Sequence, residues 1–458
     1  MFYFFTFWLI SINASCQMNS DKADNGVIIY ENGPYVEIEK RIAAKINGRP
    51  VTLSHQITTH PSKTHFMESA RVRLASDGPV NVELDFGAIK TEKISLRKLG
   101  ADLPYQKEGS LIRFELPGPG NYYMQVPALN QNTGTVNFGT YTLLFWIDDI
   151  DQLATYEKLR TDEKFKDVTV GGVISDPTAD QTKIIQGLIN QQGIIYFPPG
   201  IYRSGALTIP SNTTLYLAPG ALLKGTDDYH LNEVNAFLTI QNQENVKIIG
   251  QGIVDTNGKI AYSRNESDEE VKIRAVNIIS GKDIEFNDVL FQNSNSWAIH
   301  IFLSENFKAD NVKIFSGKDG FDPDASKNVE INNAFIQSYD DAIAVKTRSE
   351  KASDITENVT FKNSIVSSIK SSLKIGTETR AAIRNVRFEN CDVFDGERGI
   401  VLYARDGGPI EDVTWKNIRM FMIDWPGESN SGAAFDLAIE KRKAPTPVSY
   451  THLTLPTN

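Results

Sequence analysis

Short stretches that alternate apolar and polar residues recur along the second half of the chain. Most of them open with a large apolar residue directly after an Asn or Asp, and we call these residues the anchors. The anchors are Val246, Ile284, Phe307, Val329, Val359, Val386 and Val413. Repeats of this kind predict a solenoid, in which every coil adds one layer of short strands, here called a rung, to a common core.

Offsets counted from the anchors predict which side chains share a face, because alternate residues of a strand point the same way. Apolar residues follow the anchors Val329, Val359 and Val386 at two constant offsets, and they are predicted to stack inward. They are Ile343, Leu373 and Ile400 at fourteen residues and Val345, Ile375 and Leu402 at sixteen residues. The residues between and beyond these stacks are predicted to face outward. They include Lys346, Lys374 and Tyr403.

Acidic residues occupy equivalent positions on neighbouring rungs. Asp319, Asp341 and Ser371 lie twelve residues after the anchors Phe307, Val329 and Val359, and Asp340 directly precedes Asp341. Parallel strands lie about 4.8 Å apart, so these carboxyl groups should repel one another and raise the pKa of at least one. Hydrolysis of a glycosidic bond needs one protonated and one ionised carboxyl group. An acidic ladder that binds water or a cation is the other interpretation.

Basic residues accompany the acids, and each set has two interpretations. Lys346 and Lys374 are either solvated surface groups or groups that bind sugar hydroxyls and carboxylates. Arg348, Glu378 and Arg405 lie nineteen residues after the anchors Val329, Val359 and Val386. These three predict either a charge-paired stack across the rungs or a wall of a substrate cleft.

The N-terminal part has a different pattern. Within residues 29–149, alternating stretches such as 35–39, 70–74 and 80–84 are separated by turn signals, and they predict a β-sandwich. This domain is either a packing and positioning module or binds sugar directly. Residues 151–167 are predicted to be helical or linking.

The solenoid is predicted to occupy residues 165–440, with a helix near its start. Asp176 and Pro177 suit the cap and the first position of a helix. One face of this helix is apolar and would cover the open end of the solenoid core. That face consists of Ile184, Ile185, Leu188 and Ile189.

Composition narrows the function classes. The 458 residues contain 41% hydrophobic and 23% charged residues, as expected for an ordinary globular protein. The net charge of −10 argues against nucleic acid as a partner. With only Cys16 and Cys391, no disulfide framework is expected. We expect a monomer that needs no cofactor or metal.

Both ends of the chain carry segments outside the predicted domains. Residues 1–16 are almost wholly apolar before Cys16 and predict an export signal. If Cys16 carries a lipid, the protein is a lipoprotein anchored to the outer membrane; otherwise it is secreted or periplasmic. Residues 446–458 lack the repeat pattern and are interpreted as a foreign tail.

Residues from about 168 to 420 resemble glycoside hydrolase family 28, the polygalacturonase and rhamnogalacturonase group. The segments that carry the resemblance are 193–200, 221–225, 293–300, 318–322 and 339–346. The resemblance implies an all-β fold, a right-handed parallel β-helix, which the β-sandwich precedes. It also implies an inverting hydrolase in which Asp340 is the general acid and Asp319 and Asp341 activate water. Substrate contacts are assigned to His300, Lys346, Ser371, Lys374, Tyr403 and Arg405.

Two departures from polygalacturonases bear on the substrate. Ser371 stands where that group has a catalytic-cleft His, and residues 401–403 replace an Arg-Ile-Lys segment that holds a carboxylate. A pectic or related plant or algal polysaccharide is therefore expected, with plain polygalacturonate a poor substrate. Three alternatives stay open: a hydrolase of neutral glucans like the dextranase and isopullulanase group, a calcium-dependent polysaccharide lyase, and a sugar-binding β-helix without catalysis.

Overall fold

A computed structural model describes residues 26–30, 36–60, 66–127, 140–227, 235–258, 272–422 and 432–439. The export signal, Cys16 and the tail at 446–458 lie outside the described residues and stay predictions. In the described ranges no helix combines the length and the apolar character that crossing a bilayer requires.

The described residues between 27 and 149 form twelve strands in two sheets. The strands are β1 (Val27–Ile29), β2 (Ala43–Ile46), β3 (Arg49–Val51), β4 (Ser54–Thr58), β5 (Met67–Ser76), β6 (Val80–Asp85), β7 (Ser95–Lys98), β8 (Ala101–Asp102), β9 (Gln106–Glu108), β10 (Leu111–Leu116), β11 (Gly120–Val126) and β12 (Tyr141–Asp149). One sheet has the order β1-β5-β12-β11-β7-β8, with β4 also paired to β5. The other has the order β3-β2-β6-β10-β9. An apolar core with Leu84, Phe86 and Ile112 at zero exposure lies within this sandwich.

Two local predictions for the N-terminal half need correction. Within residues 36–39, only Ile38 forms a bridge, to Ser54, so this part of the stretch is not a strand. The helix predicted from Asp176 begins later, because residues 176–180 pair with the strand at 200–204 instead. That helix, α2 (Thr182–Ile189), buries Ile185 and Ile189 but leaves Ile184 45% exposed.

A short helical connection joins the sandwich to the solenoid. Helix α1 (Ile150–Lys158) follows β12 directly, and a 3₁₀ turn (Leu159–Thr161) continues it. The side chain of Asp149 accepts a hydrogen bond from the backbone N–H of Asp151. This bond satisfies one of the backbone donors that the first turn of a helix leaves unpaired.

The rest of the described chain is a three-faced solenoid of parallel strands. Its strands are β13 (Phe165–Asp167), β14 (Asp176–Asp180), β15 (Gly193–Phe197), β16 (Gly200–Ser204), β17 (Leu207–Thr208), β18 (Thr213–Leu217), β19 (Ala221–Gly225), β20 (Ala236–Gln241), β21 (Glu244–Ile249), β22 (Ile253–Asp255), β23 (Arg274–Ile279), β24 (Lys282–Asn287), β25 (Leu290–Ser294), β26 (Ile299–Phe302), β27 (Glu305–Asp310), β28 (Lys313–Ser316), β29 (Phe321–Asp324), β30 (Lys327–Asn332), β31 (Phe335–Ser338), β32 (Ile343–Thr347), β33 (Thr356–Lys362), β34 (Ile365–Ser368), β35 (Ser371–Thr379), β36 (Ile383–Phe394), β37 (Arg398–Ala404), β38 (Ile410–Phe421) and β39 (Ala433–Ile439).

Each complete rung contributes one strand to each face. The first face contains the anchors and runs through β21, β24, β27, β30 and β33. The second face runs through β22, β25, β28, β31 and β34, and the third through β23, β26, β29, β32 and β35. The fold class is confirmed: an all-β chain with a right-handed parallel β-helix after an N-terminal β-sandwich.

The predicted register is confirmed at every anchor. Val246 pairs with Ile284, and the pairing continues without a slip through Phe307, Val329 and Val359. Val386 and Val413 complete the row. The predicted inward stacks also pair in order. Ile343, Val345, Leu373 and Ile375 lie in the buried solenoid core, Ile400 is buried outside that cluster, and Leu402 is partly buried.

The polar residue before each anchor has a structural cause. Asn306, Asn328 and Asn358 all adopt a left-handed backbone conformation, with φ of 58°, 55° and 58°. Asn tolerates this conformation better than most residues. Each side-chain amide also donates to the residue one rung below, Asn328 to Asn306 at 3.0 Å and Asn358 to Asn328 at 2.9 Å. The Asn ladder therefore turns the chain and ties successive rungs together.

The sandwich packs against the second face of the solenoid. An aromatic cluster at this interface includes Trp146 of the sandwich, whose ring centroid lies 5.9 Å from that of Phe315 and 5.5 Å from that of Phe335. Tyr123 stacks on Phe394 with a centroid distance of 4.7 Å. The two domains therefore share a buried apolar interface.

Candidate active site

The three predicted acids lie in two consecutive turns between the second and third faces. Asp319 lies between β28 and β29, and Asp340 and Asp341 lie between β31 and β32. The parallel ladder continues through these turns, since the N–H of Gly320 donates to the carbonyl of Asp341 at 2.9 Å. One carboxylate oxygen from each of the three acids lies within 4.8 Å of the others. The register thus brings the acids together.

Asp340 is the most exposed of the three acids: its side chain is 35% exposed, against 5% for Asp319 and 6% for Asp341. Burial, followed by the negative charges of Asp319 and Asp341, raises the pKa of Asp340 to about 7. Lys318 Nζ lies 3.8 Å from Asp340 Oδ2 and opposes this shift. Asp340 therefore keeps a proton available up to neutral pH, as a general acid must.

Asp341 has the opposite electrostatic state. Its burial favours a raised pKa, but the ammonium group of Lys374 outweighs it and holds the pKa of Asp341 below its ordinary value. Lys374 Nζ lies 2.6 Å from Asp341 Oδ2, and both side chains are at most 10% exposed. The hydroxyl of Ser371 lies beside this carboxylate and stabilises its charge. There is therefore a pH range in which Asp341 is ionised while Asp340 is still protonated.

Asp319 is paired with the second buried lysine. Lys346 Nζ lies 3.2 Å from Asp319 Oδ2 and also contacts Asp322 Oδ1. Burial raises the pKa of Asp322 well above its usual range, although Lys346 opposes this. The pKa of Lys346 is itself raised, because Asp322 and Asp319 outweigh the cost of its burial. Lys346 is therefore a fixed positive charge beneath Asp319.

The arrangement can perform acid–base chemistry on one substrate bond. Asp340 can donate a proton to a leaving oxygen, and Asp341 and Asp319 can orient and deprotonate a water. Two oxygens 4.8 Å apart or less can both bind one water molecule, because each O–H···O bond spans about 2.8 Å.

The structure excludes one of the two sequence interpretations of Lys346 and Lys374, and their contact with a substrate stays a prediction. Neither is a solvated surface group, since they are 2% and 8% exposed. Each is the counter-ion of a candidate catalytic carboxylate. Both ammonium groups are therefore already ion-paired with carboxylates of the site.

His300 lies one rung below the acids and is buried, with 3% exposure. Its Nδ1 lies 2.9 Å from Asn277 Oδ1, and its Nε2 lies 3.1 Å from Asp324 Oδ2. Burial lowers the pKa of His300 to about 4 in spite of Asp324. In this state the ring supports Asp324 and Trp297 rather than presenting a free edge to a substrate.

Tyr403 and Arg405 lie on the other side of the acids, one rung above Lys374. The Arg405 guanidinium lies over the Tyr403 ring, 4.5 Å from its centroid. The Tyr403 hydroxyl donates to Asp436 and accepts from Arg398 Nη1 at 2.9 Å. Burial and Asp436 raise the pKa of Tyr403. Tyr403 and Arg405 therefore form one packed pair of an aromatic ring and a positive charge beside the acids.

The predicted stack of Arg348, Glu378 and Arg405 is wrong in its register. An irregularity after Val345 makes Thr347 pair with Thr379, two residues beyond the expected partner. Arg348 instead contacts a residue one rung below, since its Nε lies 2.6 Å from Asp324 Oδ2. A bulge of this kind shifts every later residue of the strand, and constant offsets do not reveal it.

Residues that the sequence analysis missed complete the site. Asp322 and Asp324 lie on β29 and share its outward face, a position that strand alternation alone predicts. Trp297 is partly buried in the turn one rung below Asp319, and three cations surround its ring. Their distances to its centroid are 4.1 Å for Lys346, 4.7 Å for Arg348 and 5.1 Å for Arg274.

Two clusters in the described part of the chain have the donor atoms for a metal ion. One is the set Asp319, Asp340 and Asp341, and the other is Glu39, His55 and Glu68 of the sandwich. In the second set Arg41 Nη2 lies 2.6 Å from each glutamate. In the first set Lys346 and Lys374 supply positive charge. A divalent ion at either place would have to sit next to these cations, which opposes its binding.

Comparisons with known proteins match the solenoid. The model of glycosyl hydrolases family 28 matches residues 201–427. A probable polygalacturonase of Vitis vinifera is 22% identical over 264 residues, which cover 50% of this chain and 54% of the relative. A probable endo-xylogalacturonan hydrolase A of Emericella nidulans is 26% identical over 260 residues, covering 51% and 63%. The chain thus spans about half to two thirds of these relatives.

Among solved structures, a family 28 exopolygalacturonase of Yersinia enterocolitica aligns with 86% of this chain and 87% of its own. The sequence identity is 14% and the TM-score is 0.48.

Proposed function

Because the chain belongs to glycosyl hydrolases family 28, we propose that it is an exported hydrolase that cleaves glycosidic bonds in a pectic or related polysaccharide. The observation that carries the proposal is the pair of adjacent carboxyl groups with opposite protonation. Asp340 has a pKa raised to about 7, and Asp341 is held ionised by Lys374. Neighbouring carboxyl groups with separated pKa values are the usual sign of an acid and a base in glycosidases.

In the proposed mechanism the substrate lies across the two turns that carry the acids. Asp340 protonates the leaving oxygen while water, held by Asp319 and Asp341, attacks the anomeric carbon and loses its proton to a carboxylate. Lys374 keeps Asp341 ionised, and the ion pairs with Lys346 and Lys374 hold the side chains of Asp319 and Asp341 in place. The bond between the anomeric carbon and the leaving oxygen breaks, and the water oxygen replaces it.

The residues around the acids support a substrate other than plain polygalacturonate. A uronate carboxylate is best held by a positioned cation. The position that resembles the family's carboxylate-binding segment holds Tyr403, and Lys374 is occupied by Asp341. Tyr403 is buried, with Arg405 over its ring, whereas Trp297 is only partly buried. The exposed part of the Trp297 ring suits the apolar face of a neutral or deoxy sugar.

The first test compares polysaccharides on one enzyme preparation. We expect reducing ends to appear from rhamnogalacturonan or another branched pectic polymer, and polygalacturonate to be cleaved poorly. No absorbance should develop at about 235 nm, and a chelator should leave the rate unchanged, because the carboxylates act as acid and base rather than as calcium ligands. Absorbing products that require calcium would favour a lyase. Release of reducing ends only from neutral glucans would support the dextranase-like alternative.

The second test is stereochemical. We expect inversion at the anomeric carbon, which proton NMR of the first product detects before mutarotation. The expectation of inversion rests on the proposed role of Asp319 and Asp341 as activators of water. The separation of the carboxylate oxygens, within 4.8 Å, is by itself closer to the roughly 5–5.5 Å usual for retaining glycosidases than to the roughly 6.5–9.5 Å usual for inverting ones, so the stereochemistry is a sharp test of that role. Retention would therefore mean that a carboxylate attacks the sugar directly, and it would contradict the role of Asp319 and Asp341 as activators of water.

A further inference from the structure

The sandwich strand β5 crosses the second face of the solenoid from rung to rung. Arg73 Nη1 donates to the carbonyl of Gln251 at 3.3 Å, and Arg71 Nη2 donates to Gln292 Oε1 at 2.9 Å. Further along, Ser69 Oγ donates to Gln337 Oε1 at 3.1 Å. Alternate residues of β5 thus contact β25 and β31, together with Gln251, which lies two residues before β22, and the strand links three rungs of the solenoid.

The end of β5 lies beside the acidic turns. Met67 is 1% exposed and forms a separate apolar cluster with Tyr339 and Ile369. Tyr339 immediately precedes Asp340, and the hydroxyl of Ser367 lies 3.5 Å from the Met67 sulfur. The thioether therefore fills the space behind the turn that carries the general acid and the turn one rung above it.

The neighbouring segment of the sandwich adds contacts to the same turns. Thr58 Oγ1 donates to Gln337 Oε1 at 3.4 Å, and the His60 ring lies 6.1 Å from the Tyr339 ring. A Cβ placed on Gly317, two residues before Asp319, would lie 2.7 Å from the carbonyl oxygen of Thr59. The backbone of the sandwich thus approaches the Asp319 turn as closely as glycine permits.

From these contacts we infer that Met67 is a positioning residue for Asp340, and that the sandwich forms part of the catalytic unit. The inference rests on the proposed function, because it assigns Met67 a role in that reaction. A catalytic carboxyl group must be held within about 0.5 Å of its productive position. The turn at 339–341 gains this rigidity from packing by another domain, since Met67 closes its rear side.

The main variant is Met67→Ala, which leaves a cavity behind Tyr339. We expect kcat to fall by about 10- to 100-fold with little change in KM, because a displacement of about 1 Å costs on the order of 100-fold in rate. Water entering the cavity should lower the pKa of Asp340, so the fall of activity on the alkaline side should move to lower pH. Met67→Leu keeps the volume and should restore both properties.

The matched control is Leu144→Ala, which removes a buried side chain from the same domain interface. Leu144 belongs to the buried aromatic cluster that also contains Leu290, and the described members of this cluster include no residue of the acidic turns. We expect a comparable fall in Tm, with an unchanged pH profile. Ser69→Ala removes only the hydroxyl that donates to Gln337, and it is the substitute variant if Met67→Ala does not fold. We expect Ser69→Ala to lower kcat and to shift the pH profile in the same directions as Met67→Ala, but to a smaller extent.

Hydrogen exchange provides a readout that does not depend on catalysis. Amides of residues 339–342 should exchange faster in Met67→Ala than in Leu144→Ala. Equal exchange and equal pH profiles in the two variants would overturn the inference and leave Met67 as ordinary interface packing. If the wild-type protein cleaves no polysaccharide, the proposed function fails, while the exchange experiment still decides whether Met67 positions the turn.

Discussion

Replacing Asp340 with asparagine is expected to lower kcat by about 10²–10⁴-fold on a substrate with a poor leaving group. Asp340→Asn keeps the shape of the side chain but removes the proton that the leaving oxygen needs. The alkaline side of the wild-type pH profile should fall near pH 7, where Asp340 loses its proton. The variant's residual rate should lack this fall. Near-normal turnover by the variant would remove Asp340 from the role of general acid.

Asp340→Asn should also change how the stability of the protein depends on pH. The pKa of Asp340 is about 7 in the folded protein and about 3.9 in an unfolded chain. The folded state therefore binds more protons between these values, and wild-type stability falls as the pH rises from about 4 to about 7. Asp340→Asn lacks this titration, so its Tm relative to wild type should rise over that range. A parallel pH dependence of the two Tm values would contradict the raised pKa.

Asp310→Asn is the matched control for this experiment. Asp310 is an exposed residue at the end of β27 on the first face, where it accepts a hydrogen bond from Asn332 at 2.6 Å. Exposed substitutions of this kind usually change stability by about 0.5 kcal/mol or less. The control should keep the wild-type rate and pH profile, which separates loss of the acid from loss of a negative charge.

The second large effect is expected from Lys374→Met. The variant leaves the carboxylate of Asp341 buried without its ammonium partner, and removal of one member of a buried ion pair typically costs about 3–5 kcal/mol. Burial then dominates and raises the pKa of Asp341. The acidic side of the pH profile should therefore move to higher pH, and the rate at neutral pH should fall with it.

The sign of the stability change follows from the same pair. The pKa of Asp341 is lowered in the folded wild-type protein, so the pair stabilises the fold above the unfolded pKa of about 3.9 and loses this effect as the pH falls through the folded value. The Tm difference between Lys374→Met and wild type should be largest near neutral pH. Thermal unfolding measured across the acidic range checks this.

Lys362→Met provides the comparison for Lys374→Met. Lys362 Nζ lies 2.6 Å from Glu330 Oε1, the same distance as between Lys374 and Asp341. The side chains of Lys362 and Glu330 are, however, 34% and 44% exposed. Exposed pairs contribute about 0–1 kcal/mol, so this variant should keep nearly normal stability and activity. Equal losses in the two variants would show that burial does not strengthen the Lys374 pair.

The rung register and the position of the acids could be predicted from the pattern of apolar residues along the chain. Anchors such as Phe307 and Val329 pair without a slip, because a shift of one residue would turn every apolar side chain toward solvent. The turn holding Asp319 lies at a constant distance from its anchor, as does the turn holding Asp341. Proximity of the acids therefore followed from counting along the chain.

Local irregularities lie beyond this kind of counting. The bulge between Val345 and Thr347 moved Arg348 away from Glu378 and toward Asp324. The start of α2 also moved, because pairing of residues 176–180 with β16 competes with helix formation. In both places contacts with a neighbouring rung outweighed the local pattern.

The electrostatic state of the site and the place of the sandwich depend instead on contacts between residues far apart in the chain. Lys346 and Lys374 have outward positions in their strands, yet neighbouring rungs and turns bury them against Asp319 and Asp341. The contact between Ser69 and Gln337 joins residues 268 positions apart. Alternation within one strand carries no information about such contacts. They arise when separately patterned domains bury their remaining apolar surface against each other.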